Sequence, residues 1–147
     1  MKKIFHSAAV CMVTALLLVM PIQAQAATAE TEPNDSIESA NVLSLPGTSS
    51  RNGAATADGN ISSSSDVDWW KIQLPRASMF TTLTVQNIEV IGAQYEVYEY
   101  GQRIAGPMTG SYSITSKYGK NVTVKVMNAT PGTYQVNSSF WRMLKFG

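Results

Sequence analysis

Oxygen-bearing side chains in two short stretches define the chemistry open to this chain. Glu30, Glu32, Asn34 and Asp35 crowd one turn-rich segment around Pro33, and Asp66 and Asp68 flank the start of Asp66-Val67-Asp68-Trp69-Trp70-Lys71-Ile72-Gln73-Leu74. Calcium takes roughly six to eight oxygen ligands in adaptable geometry, so these six residues suit a hard cation if the two stretches converge. The twelve-residue donor spacing of an EF-hand is absent. In the plainer alternative, Asn34-Asp35-Ser36 is a turn or helix cap and the acids face solvent. A third reading makes Asp66 and Asp68 the acid and base of a small hydrolase, which needs a carboxylate separation that adjacency in sequence does not set.

The elements that must position these groups are strands. Trp70, Ile72 and Leu74 alternate with polar residues until Pro75, and Val122, Val124 and Val126 alternate with Thr123 and Lys125. A period of two places each set on one face, so the three valines are expected in the core. Val42 to Leu45, Met79 to Gln86, Gln94 to Tyr100, Tyr112 to Ser116 and Gly132 to Asn137 read as further strands. Gly47 to Asn60 reads as exposed loop, and Gly106-Pro107 and Gly110 as a connection. Short strands separated by turns predict an all-β fold, an antiparallel β-sandwich of jelly-roll-like form.

The chain begins with Lys2 and Lys3, an apolar run from Ala8 to Met20 and the small-x-small site Ala24-Gln25-Ala26. This pattern predicts a signal peptide over residues 1–26, a single domain over 27–147 and a secreted or cell-envelope location. The apolar run falls short of the roughly 20 residues that span a bilayer, so no transmembrane segment is expected in the mature chain. Cys11 and His6 both lie within the signal, which removes thiol catalysis, a histidine base and Cys/His zinc binding from the mature domain. Without Lys2 and Lys3 the balance is 9 basic against 10 acidic side chains. That is not the positive footprint of a nucleic-acid binder.

Glu30-x-Glu32-Pro33-Asn34-Asp35-Ser36, Gly59-x-Ile61, Asp66-x-Asp68-Trp69-Trp70-Lys71-Ile72 and Gly132-Thr133-Tyr134-x-Val136 together resemble the bacterial pre-peptidase C-terminal domain, related to the collagen-binding domains of secreted collagenases. The resemblance covers nearly all of residues 30 to 138. It implies a compact β-sandwich, calcium sites in some members and matrix or substrate binding in a subset. Trp70 departs from the tyrosine or phenylalanine common at its position, and no peptidase domain accompanies the sequence.

The expected function is therefore a secreted, noncatalytic accessory or binding module, calcium-stabilised, with an extracellular protein or matrix polymer as partner. Alternatives are an inhibitor or chaperone-like partner of a separate secreted protease, and the carboxylate-dependent hydrolase. Exposed aromatics would serve a binding role, although Trp69 and most of the tyrosines are expected to pack.

Overall fold

The computed structural model describes residues 26–47 and 51–145, so the signal peptide expected over residues 1–26 lies almost wholly outside the described residues. Eight strands follow one another: β1 (Thr28–Ala29), β2 (Asn41–Ser44), β3 (Asn52–Ile61), β4 (Val67–Gln73), β5 (Thr81–Glu99), β6 (Gln102–Ser116), β7 (Val122–Met127) and β8 (Gly132–Leu144). Among the described residues no helix is long and apolar enough to cross a membrane.

The alternating segments behave as their pattern requires. Trp70, Ile72, Val124 and Val126 are fully buried, Val122 is buried, and β4 pairs antiparallel with β7 in the register Trp70↔Val124. Each fully buried aliphatic side chain is worth about 1.5–3 kcal/mol relative to exposure. Ile88, Val90, Tyr95, Val97, Val136 and Phe140 join them in one continuous core.

The expected β-sandwich is not what forms. One hydrogen-bonded path runs β1-β3-β8-β5-β7-β4-β2, with β6 beside β5, and wraps about 300° around an axis as a single, nearly closed barrel of seven strands. The cause is β5. Its first half pairs with β8 and its second half, Gln94 to Tyr98, pairs with β7, so the two would-be sheets share a strand and the ladder never breaks. Gly92 sits between those halves at φ 89°, and a Cβ there would press on the Thr133 carbonyl. This corrects the sandwich and jelly-roll reading, including the compact β-sandwich that the family resemblance implied.

Three further expectations change. Residues 52–60, read as loop, form β3 together with Ile61, and its inward positions are the small Ala55 and Ala57 before Ile61. The two strands read over Met79–Gln86 and Gln94–Tyr100 are one bent strand, and the connection at Gly106–Gly110 lies within β6. The sheet is also mixed: β1 pairs parallel with β3, and β2 parallel with β4.

Those two short parallel strands edge the open seam of the barrel. The chain between them, residues 30 to 40, bridges it. Thr31 N–H donates to Asn41 Oδ1 and Asn41 Nδ2 donates back to the Thr31 carbonyl, both at 3.0 Å. The acidic segment is therefore the piece that joins the two edges.

Candidate metal centre

At the seam, Glu30, Glu32 and Asp68 each bring a carboxylate oxygen within 4.8 Å of the others. Glu30 follows β1, and its N–H extends the pairing to the Asp58 carbonyl at 3.0 Å. Its Oε1 accepts from the Asn60 N–H (2.9 Å), and its Oε2 accepts from the Tyr134 hydroxyl (2.9 Å). Tyr134 in turn accepts from Trp70 Nε1 at 2.8 Å. A buried indole thus fixes a buried phenol, which fixes the carboxylate. Gly59 makes the approach possible: a Cβ there would collide with both the Tyr134 ring and the Glu30 carboxylate.

Asn34 organises the other two acids. It is fully buried, and its carbonyl accepts from the Trp69 N–H at 3.0 Å. Its neighbours orient the amide so that Nδ2 donates to Glu32 Oε2 (2.8 Å) and Asp68 Oδ1 (2.9 Å), while Oδ1 accepts from Asn41 Nδ2 (2.8 Å). Its backbone N–H also reaches Glu32 Oε2 at 3.0 Å. Asn34 therefore bridges the acids, with both of its own oxygens engaged by protein donors.

Asp68 is the exception to this saturation. Its side chain is fully buried and its Oδ2 has no hydrogen-bond partner. Burial, followed by repulsion from Glu30 and Asp66, pushes its carboxyl up to about 7 despite the nearby Tyr134 hydroxyl. Burial also raises Glu32, with Glu30, Asp66 and Asp35 adding repulsion against the lowering effect of the Asn34 N–H. Burial pushes Tyr134 upward too, reinforced by Asp68 and Glu30 against the Trp70 N–H, so the phenol stays a donor.

Asp66 and Asp35 stand beside this cluster. Asp66 Oδ2 accepts from the Ser62 N–H at 2.5 Å and closes the turn before β4. Burial would raise Asp66, but the hydrogen bonds from Ser62 and Val67 hold it below the usual carboxylate range. Asp35 is exposed. Of the six residues proposed from sequence, three converge as carboxylates, Asn34 ties two of them together, and Asp66 and Asp35 add to the local negative field. Tyr134, Gly59 and Asn41 complete the site. From the sequence Tyr134 reads as one strand tyrosine among several and as part of the Gly132-Thr133-Tyr134 motif, with no role in the metal site.

A buried, unpartnered carboxylate oxygen beside two further carboxylates fits a divalent ion with a preference for oxygen. The cluster can coordinate such a metal ion. No protein-family model matches the chain, and no curated protein matches it.

Proposed function

We propose that the chain is a secreted, noncatalytic binding module whose amino-terminal segment is locked across the barrel seam by calcium. The observation that carries this reading is the orphaned Asp68 Oδ2 within the Glu30, Glu32 and Asp68 cluster. An all-oxygen donor set favours calcium over zinc, whose protein sites are built mainly on Cys sulfur and His nitrogen, and the exposed Glu32 leaves room for water ligands. Calcium would supply the positive charge that offsets mutual repulsion of these acids. The protein's own residues supply the frame: Trp70 and Tyr134 aim Glu30, and Asn34 aims Glu32 and Asp68.

The hydrolase alternative is less well supported, because Asp68 is fully buried and Asp66 is committed to the Ser62 turn. Secretion rests on the amino-terminal pattern of Lys2, Lys3, the apolar run and Ala24-Gln25-Ala26. Calorimetric titration with calcium, paired with thermal unfolding before and after chelation, tests the lock. Free calcium at about one hundred times its dissociation constant should add roughly 2.7 kcal/mol of stability. No saturable binding at millimolar calcium and no effect of chelator would defeat it. A pull-down from culture supernatant, with and without chelator, tests for a separately encoded protease as partner.

A further inference from the structure

Strand β8 lies between β3 and β5, and its outward side chains Thr133, Gln135, Asn137, Ser139 and Trp141 form the floor of a trough. Ala54 and Thr56 on one side and Asn87 and Glu89 on the other wall a cleft of about 390 Å³ over Asn137 and Ser139. Further along the same strands, Asp58, Ile91 and Gln135 line a second cleft of about 560 Å³. Both fall in the range of roughly 300–1,000 Å³ typical of ligand sites. At the other end stands Trp141, 44% exposed and opposite Asn52 and Val85.

The polar side chains are held in place, with one half of each amide left over. Asn137 Oδ1 accepts from Thr56 Oγ1 (2.9 Å), and Asn87 Oδ1 accepts from Ser113 Oγ (2.6 Å). Gln135 Nε2 donates to Asp58 Oδ1 at 2.9 Å. The Nδ2 groups of Asn137 and Asn87 thus present donors, and Gln135 Oε1 presents an acceptor. Mixed donors and acceptors on a rigid floor suit hydroxyl groups, which do both.

Charge and shape narrow the ligand. No lysine or arginine lines either cleft, and Asp58 and Glu89 bring carboxylates, which disfavours anionic polymers. Large exposed apolar side chains here are Ile91 and Trp141, with Met143 the next outward position of β8 beyond Trp141, unlike the aromatic clusters that dominate protein contacts. An exposed indole beside hydroxyl-matching amides offers a face for the C–H side of a sugar ring. From Thr133 to Trp141 the floor extends about 26 Å at roughly 3.3 Å per residue, which suits a chain of sugars more than a single one.

We propose that this trough binds a neutral polysaccharide chain. The inference rests on the binding-module reading above and names its ligand class, but it does not depend on the cation. Native affinity electrophoresis of the exported protein through gels containing hydroxyethylcellulose, laminarin, xylan or mannan, with alginate as the anionic contrast, provides the test. Retardation by at least one neutral polymer is expected, with a loss of at least tenfold in apparent affinity for Trp141→Ala and for the Asn87→Ala/Asn137→Ala double variant. Tyr100→Ala, at the exposed hairpin tip between β5 and β6, should bind as the wild type does. Thermal midpoints confirm that each variant is folded, and the double variant decides the matter if Trp141→Ala is not. Retardation by no neutral polymer, retardation by alginate alone, or unchanged retardation of the folded variants would overturn the proposal. Calcium titration of the same samples reads the lock separately, so either claim can fail alone.

Discussion

Asp68 pays for its position with its proton affinity. Its carboxyl rises from 3.8 to about 7 in the folded protein, so between those values the native state keeps a proton that the unfolded chain gives up. Stability from this group is therefore complete below about pH 4 and lost as pH rises toward 7. Glu32 shifts in the same direction, whereas the lowered Asp66 acts oppositely and loses its contribution only at more acidic pH. In chelator, the thermal midpoint should fall between pH 4 and pH 7, and saturating calcium should flatten that fall because the ion takes the place of the proton. A pH series of melting curves with and without chelator checks this. Asp68→Asn retains an acceptor for Asn34 and removes the charge. Its melting curves should keep only the smaller pH slope that Glu32 contributes and lose the calcium response, whereas an undiminished calcium shift would place the ion elsewhere.

At the scale of elements, β3 positions the site without announcing itself. Gly59 is the one residue of this strand that lets Tyr134 and Glu30 meet against the backbone. Gly59→Ala should cost about 1–3 kcal/mol by overpacking, measured by denaturant unfolding, and should weaken calcium binding by displacing Glu30. Loss of stability with calcium affinity intact would separate Tyr134 packing from the metal centre. The sequence made β4 and β7 legible because Trp70, Ile72 and the three valines alternate strongly. It hid β3 because its inward residues include Ala55 and Ala57, whose small side chains give little periodic signal beside so many turn formers. The continuity of β5 was hidden for a related reason: the stretch between Gln86 and Gln94 carries no assigned strand in the sequence, yet here Gly92 within it bends a strand that continues. The three converging acids were legible as chemistry. The roles of Trp70, Tyr134 and Asn41 were not, since they depend on strands brought together across the barrel.

For the molecule as a whole, the incomplete circumference concentrates local weakness at one seam. Asn41 exchanges hydrogen bonds with Thr31 and donates to Asn34, so one side chain ties both edges of the barrel to the acidic cluster. Asn41→Ala should accelerate amide hydrogen exchange in β1, β2 and residues 30 to 40 while leaving the β5 and β8 core protected. Uniformly faster exchange across the barrel would instead mean that the seam belongs to the global folding unit.

The place of β8 in the sheet also dictates when the barrel can assemble. Among the described strands, β3 pairs only with β1 and β8, and β8 is the last to be synthesised. A nascent chain ending before residue 132 leaves β3 with nothing but the two residues of β1 beside it, and β5 without its longest partner in the first half. Such long-range pairing makes closure slow compared with hairpin formation. Strands β1 and β3, and with them Glu30, consequently gain their long partner only when the carboxyl terminus arrives, which delays the gathering of the three acids until Tyr134 has been made.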